Sequence, residues 1–122
     1  MEGLTGIHNM LGGLVVVAFI IVAILAAIAA AGRDIPWLRT ASFIAAGLLA
    51  LQYLVGLLLL GGGEQNTATH YLVGLLVIVP VALQHASTRR LSSEMRGVAL
   101  MIWSLAASFL AVIAYLSGLW RM

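Results

Sequence analysis

Four uninterrupted apolar runs dominate this sequence, at about residues 7–31, 37–60, 69–86 and 98–120. Each is close to the ~20 residues that an α-helix needs to cross ~30 Å of hydrocarbon. Inside a bilayer the backbone must satisfy its own hydrogen bonds, and a helix does so within one segment. The sequence therefore predicts an all-α protein, an integral membrane four-helix bundle that forms one domain over residues 1–122.

Composition agrees with a lipid environment. Hydrophobic residues make up 63% of the chain and charged residues 8%, and the mean hydropathy is +1.14. A soluble domain carries about a quarter charged residues, so we expect the lipid bilayer to solvate most of the outer surface. The first run is too long for a signal peptide and no basic segment precedes it. The chain has no cysteine, which excludes disulfides, thiolate metal sites and cysteine nucleophiles.

The arginines predict the orientation. Five of them lie in or beside the connections after the first and third runs: Arg33, Arg39, Arg89, Arg90 and Arg96. The opposite side carries only Arg121. The positive-inside rule then places both connections in the cytoplasm and both termini outside. Because these arginines form no stripe on a helix, we expect no nucleic-acid partner.

Two histidines occupy matching positions. His8 opens the first run and His70 opens the third, and each is followed four residues later by a glycine, Gly12 or Gly74. Residues i and i+4 share a helix face. The matched pattern predicts a duplicated helical hairpin, whose halves are related by a pseudo-two-fold axis along the membrane normal. Both imidazoles are then expected at similar depth near the outer face.

Paired histidines on facing helices are a common way to hold a cofactor in a bundle. We predict that His8 and His70 are the axial ligands of a haem, with Gly12 and Gly74 leaving room for the flat macrocycle. Bis-histidine ligation favours electron transfer over oxygen binding. Two alternatives stay open: the histidines are interfacial residues, or the glycines serve ordinary helix packing. A zinc or copper site is less favoured, because no carboxylate or thiolate accompanies the pair.

Three further residues inside the runs bear on structure or function. Gln52 is the only amide in the second run and is expected to hydrogen-bond within the bundle or to a cofactor. Pro80 is expected to kink the third run. His85 lies about 22 Å along the helix from His70 at ~1.5 Å per residue, so it cannot join the same ligand sphere. We interpret it as a cytoplasmic interface residue, the alternative being a ligand of a second haem.

These features together resemble half of a heme A synthase, a family of membrane enzymes built as tandem four-helix bundles. The resemblance rests on His8, on the stretch Leu51-Gln52-Tyr53-Leu54-Val55-Gly56, and on His70 with Gly74, and it covers the first three runs. The family typically has glutamate three residues before the first histidine and arginine directly after it. Here Thr5 and Asn9 stand there, and the extracellular cysteine pair of many members is missing.

The resemblance implies a prokaryotic cell membrane protein whose substrate is haem O, with the methyl group oxidised to the formyl of haem A. Glu2 is the nearest carboxylate and thus the candidate catalytic residue. Arg121 is a candidate partner for the haem propionates. A chain of half the family's length would need to self-associate or to work as a minimal bundle with one haem. We expect a homo-oligomer, because four short helices rich in glycine and alanine leave small-residue faces free.

Three functions remain open at this point. The first is the haem-oxidising enzyme that the resemblance implies. The second is a b-type cytochrome subunit without enzymatic activity, which passes electrons between a quinone pool and a respiratory-chain partner. The third is a haem-free structural subunit of a respiratory or photosynthetic complex.

Overall fold

The computed structural model describes residues 2–87, 89 and 91–120, and within these ranges the chain is helical with short connections. The helices are α1 (Glu2–Ala30), α2 (Leu38–Gly61), α3 (Ala68–Leu76), α4 (Ile78–Ser87) and α5 (Ser93–Trp120). Four stretches are long and apolar enough to cross a membrane: Gly3–Ala30, Leu38–Gly61, Ala68–Ser87 and Met95–Leu119. They agree with the four predicted runs to within a few residues. The predicted all-α membrane four-helix bundle is confirmed.

Glycines end the first two spans. Gly32 and Gly63 have φ of 104° and 92°, a left-handed conformation that other residues adopt at a cost. After α1, the amide of Gly32 donates to the Ala29 carbonyl and that of Arg33 to the Ile28 carbonyl, at 3.1 and 3.3 Å. After α2, the amides of Gly63 and Glu64 make the equivalent bonds. Both ends are Schellman motifs, which satisfy carbonyls that the helix leaves unpaired.

The third span is interrupted at Val77, between α3 and α4. Pro80 follows three residues later and has no amide hydrogen, so the carbonyl one turn before it loses its usual helical donor. Val77 itself keeps helical dihedral angles, with φ −59° and ψ −31°. The two helices therefore form one span with a local break, as Pro80 predicts.

The pair α1 and α5 forms the centre of the bundle. These two helices make the most extensive contact, α2 packs against α1, and α3 and α4 pack against α5. Small residues permit the close approach: a Cβ added at Gly97 would lie 2.8 Å from the backbone nitrogen of Ala30. Phe19, Ala26 and Ala107 are fully buried in the core that results. Close packing over small residues is the usual source of helix association in membranes.

A polar contact joins α4 to α5 inside this core. The Ser104 hydroxyl donates a hydrogen bond of 3.1 Å to Oε1 of Gln84, and both side chains are fully buried. Ser108, one turn further, donates to the Ser104 carbonyl at 2.7 Å. Hydrogen bonds between helices add specificity to packing that apolar contacts alone leave loosely defined.

Large apolar side chains cover the outside of the bundle. Leu57 and Leu75 are 65% exposed and Phe109 is 67% exposed. A water-soluble protein rarely exposes extensive apolar surface of this kind. The chain is therefore a membrane protein, in which these side chains face hydrocarbon.

Candidate functional site

The two matched histidines lie at the same end of the bundle, called here the histidine end, where α1 and α3 begin and α2 and α5 finish. His70 owes its position to the start of α3. Thr67 caps this helix, and its hydroxyl oxygen accepts a hydrogen bond from the His70 amide at 3.3 Å. Asn66 ties the cap to α5 by donating from its side-chain nitrogen to the Gly118 carbonyl at 3.1 Å. The cap therefore places His70 in the first turn of α3 with its ring toward α5.

The rings of His8 and His70 face each other between α1 and α3. Their centroids are 6.1 Å apart and their planes are nearly perpendicular, at 84°. Both side chains are half-buried. The structure thus brings together the two residues that the sequence predicts as a ligand pair.

A backbone carbonyl orients His70. Its Nδ1 atom lies 2.9 Å from the carbonyl oxygen of Ala114 on α5. Since a carbonyl only accepts, Nδ1 carries the proton, and Nε2 keeps the lone pair that binds a metal ion. The Ser117 hydroxyl donates to the same carbonyl at 2.9 Å. An imidazole held by Nδ1 to a carbonyl is the usual arrangement of a metal-binding histidine.

His8 is oriented differently. Its Nδ1 atom is buried and has no hydrogen-bond partner among the described residues. The main chain of Gln52 neighbours the ring. Buried ring nitrogens are normally hydrogen-bonded, so a buried Nδ1 atom without such a bond is unusual.

Glycines on the neighbouring helices make room for both rings. A Cβ at Gly56 of α2 would lie 3.1 Å from Cε1 of His8, and one at Gly118 of α5 would lie 2.8 Å from Cε1 of His70. Each imidazole therefore packs directly on backbone. Gly118 was not among the residues that the sequence assigned to the site, and Gly56 was noted only within the family-like stretch.

The glycines predicted to flank a macrocycle have other neighbours. At Gly12 a Cβ would meet the ring of Tyr115 at 3.0 Å and Nε2 of Gln52 at 3.1 Å. A Cβ at Gly74 would meet nothing within 4 Å, and the Gly74 carbonyl accepts a hydrogen bond from the Tyr53 hydroxyl. The contact of either glycine with a macrocycle stays a prediction. Gln52 does point into the bundle, and its side-chain oxygen is buried without a hydrogen-bond partner in the described part of the chain.

The site repeats at a constant spacing of 62 residues, which pairs His8 with His70, Gly12 with Gly74, Tyr53 with Tyr115 and Gly56 with Gly118. The contacts repeat as well. Each histidine packs on the glycine of the following span, and each tyrosine crosses to the glycine of the other half. These local contacts follow the pattern that a duplicated hairpin predicts. This spacing is the sequence signal by which both tyrosines and Gly118 could have been recognised as part of the site.

Two predicted residues cannot be placed. Arg121, the candidate propionate partner, lies outside the described residues. Glu2, the candidate catalytic residue, is the first residue of α1, but its side chain lies outside what the structure describes. Both assignments stay predictions.

The pair does not belong to a larger cluster of ligands. Among the described residues, no group of three or more His, Cys, Asp or Glu side chains is placed to hold a metal ion. Two imidazoles supply too few ligands for a structural zinc site, which has four.

Comparisons with known proteins gave no relative from which a function could be inferred. No family model matches the chain, and neither curated proteins nor solved structures gave a match.

Proposed function

We propose that this chain is a membrane haem protein in which His8 and His70 bind the iron from opposite sides. The observation that carries the proposal is the 6.1 Å separation of the two ring centroids. A nitrogen-to-metal bond of about 2 Å and a ring radius of about 1 Å place two imidazoles on one metal ion about 6 Å apart. Each ring can turn about its own bond to the metal, so perpendicular planes are compatible with this arrangement.

The surroundings of the pair fit a haem ligand set. The Ala114 carbonyl fixes the tautomer of His70 that leaves Nε2 for the iron. Gln52 is the residue of the first half that corresponds to Ala114 at the spacing of 62 residues. Its main chain neighbours His8, and its carbonyl could orient that imidazole as the Ala114 carbonyl orients His70. Gly56 and Gly118 admit the rings against the backbone without displacing a helix.

Electron transfer is the function that this ligation favours. Haem held by His8 and His70 would supply a one-electron iron couple. The chain's own contribution is to hold both imidazoles in place and to keep the site within an apolar bundle. A quinone or a respiratory-chain protein as redox partner, and assembly as a homo-oligomer, are parts of this proposal.

One observation favours the oxidation of haem O as a second candidate function. The stretch Leu51–Gly56, which resembles a heme A synthase motif, lies beside His8: Gly56 packs on its ring and Gln52 neighbours it. In that case Glu2 is the carboxylate closest in sequence to His8 for the substrate's oxidation.

Absorption spectroscopy of the purified full chain tests haem binding. We expect one haem per chain in the wild type, and loss of the Soret band in His8→Ala and in His70→Ala. His85→Ala is the matched control, because His85 lies near the opposite end of its span, and it should keep the full band. A Soret band that survives both site substitutions at wild-type strength would refute the proposal.

Extraction of the pigment separates the two functions, since hydroxymethyl or formyl haem indicates the enzyme and haem b alone indicates the carrier.

A further inference from the structure

A large cavity lies at the other end of the bundle from the histidine pair. It has a volume of about 660 Å³ and is bordered by the 32–36 connection, the start of α2, the end of the third span and the start of α5. We call it the arginine cavity, because four guanidinium groups line it: those of Arg33, Arg39, Arg89 and Arg96. Among the described residues, Asp34 is the one carboxylate in its lining. Its volume is within the range of small-molecule binding sites.

Among the described side chains, four guanidinium groups and one carboxylate, that of Asp34, line this cavity, so its lining carries excess positive charge. All four arginines are exposed, and among the described side chains no ion pair neutralises them. Like charges in one cleft repel each other and attract an anion. One guanidinium group can donate two parallel hydrogen bonds to two oxygens of the same phosphate.

An aromatic stack positions one arginine over the cavity floor. The guanidinium carbon of Arg39 lies 5.5 Å from the centroid of the Phe43 ring, in a cation–π contact. Phe43 in turn lies against His85, with ring centroids 4.6 Å apart. The His85 ring is fixed by its Nδ1 atom, which donates to the Val81 carbonyl at 2.9 Å. These contacts hold Arg39 on the cavity and leave His85 at its inner wall.

An apolar groove begins where the cavity ends. The groove between α2 and α4 has a volume of about 220 Å³ and is lined by small and aliphatic side chains together with Tyr53 and His85. His85 borders both the groove and the cavity. The groove exists because α2 makes its extensive contact with α1 and stays apart from α4. Its walls belong to the spans Leu38–Gly61 and Ala68–Ser87, so the groove lies at the depth of hydrocarbon.

We propose that this composite site binds an anionic phospholipid, with the headgroup phosphate in the arginine cavity and an acyl chain in the α2–α4 groove. A phospholipid carries an anionic phosphate and an apolar acyl chain in one molecule, and it is present in the bilayer that surrounds the bundle. Basic pockets between transmembrane helices are known to take such headgroups. A free phosphate has no acyl chain to fill the groove, and a neutral quinone head does not match the excess positive charge of the arginine cavity. The inference does not depend on the haem.

Native mass spectrometry of the purified full chain in detergent tests the proposal. The probes are phosphatidylglycerol, phosphatidylcholine with the same acyl chains, and inorganic phosphate as competitor. We expect one phosphatidylglycerol per chain, bound at least about tenfold more tightly than phosphatidylcholine. Both lipids carry the phosphate, but the arginines that line the cavity repel the quaternary ammonium of the choline headgroup. Inorganic phosphate at equal concentration should not displace it.

Two pairs of variants separate the headgroup from the acyl chain. Arg39→Gln combined with Arg89→Gln should weaken phosphatidylglycerol binding about tenfold or more, and the same positions changed to Lys should retain part of the affinity. Ala82→Phe fills the groove and should also weaken binding, whereas Ala86→Phe, one turn further along α4 and outside the groove lining, should not. Circular dichroism confirms that each variant is folded.

Three results would overturn the proposal. The first is equal affinity for phosphatidylglycerol and phosphatidylcholine. The second is unchanged binding in the folded double Gln variant. The third is displacement of the lipid by inorganic phosphate alone, which would make the ligand a free anion.

Discussion

The hydroxyl of Tyr53 on α2 donates a hydrogen bond to the main-chain carbonyl of Gly74 on α3. This bond connects two spans that otherwise pack on different partners, since α2 lies against α1 and α3 lies against α5. At the equivalent position of the repeat, Tyr115 packs on Gly12 through its ring. Equivalent tyrosines therefore serve the two halves differently, one through a hydrogen bond and one through packing.

Tyr53→Phe should reduce the free energy of unfolding by about 0.6 kcal/mol and by no more than about 1.7 kcal/mol, the mean and the maximum measured for interhelical hydrogen bonds in a membrane protein. The loss arises because the Gly74 carbonyl is bonded by this hydroxyl. Reversible unfolding of the purified chain in mixed detergent micelles measures it. Tyr115→Phe is the matched control and should change stability little, since the ring of Tyr115 makes its contact with Gly12. Equal losses in both variants would contradict this assignment.

Gly118→Ala should weaken haem binding more than it weakens the fold. A Cβ there would lie 2.8 Å from Cε1 of His70, and that ring is held by the Ala114 carbonyl. Displacing it costs about 1–3 kcal/mol, by analogy with overpacked cores, or roughly a 5- to 150-fold loss of affinity.

Titration of the haem-free chain with haem measures this affinity, and circular dichroism follows the fold. Gly47→Ala is the control, because a Cβ at Gly47 meets nothing within 4 Å. It should bind haem like the wild type. If Gly118→Ala also does so, the glycine is not required by the ligand.

Gly97→Ala should destabilise the whole bundle without any specific effect on the histidine end. The added Cβ would stand 2.8 Å from the Ala30 nitrogen and 3.1 Å from the Ala29 carbonyl carbon, where α5 crosses α1. Backbone cannot move aside as a flexible side chain does, so we expect a loss of about 1–3 kcal/mol. Unfolding in mixed micelles measures this loss. Gly61→Ala is the control and should leave the free energy of unfolding almost unchanged, because a Cβ at Gly61 meets no neighbour within 4 Å. A Gly97→Ala variant as stable as the wild type would show that α1 and α5 are less closely packed than this.

The absence of cysteine permits a direct test of orientation. A single cysteine at Gly62, in the connection after α2, should react with a membrane-impermeant maleimide on intact cells. One at Asp34, in the connection after α1, should react only after the membrane is permeabilised. The expectation follows from the positive-inside rule, which places the arginine-rich connections in the cytoplasm. The reverse labelling pattern would place the histidine pair on the cytoplasmic side.

The sequence alone predicted most of the fold. Run lengths defined the four spans, because hydrocarbon thickness sets the length of a helix that crosses it. Pro80 predicted the break in the third span, because the effect of its missing amide hydrogen is local. The pairing of His8 with His70 was also predictable. Both histidines lie at the start of spans that run in the same direction, so they are at similar depth in the membrane.

Tertiary packing decided what surrounds the histidines. The sequence predicted a glycine one turn along the same helix, yet the rings pack on Gly56 and Gly118 of the neighbouring helices. Residues on one helix share a face through its own geometry, whereas the groove that receives a ring depends on how two helices cross. The gap between α2 and α4 also depends on how the helices cross. In a membrane the crossing is set by many small packing contacts, which the sequence of one helix does not reveal. Local chemistry in the sequence therefore determined the spans and the pairing of the two histidines, and only helix crossing determined the surroundings of the histidines and the gap between α2 and α4.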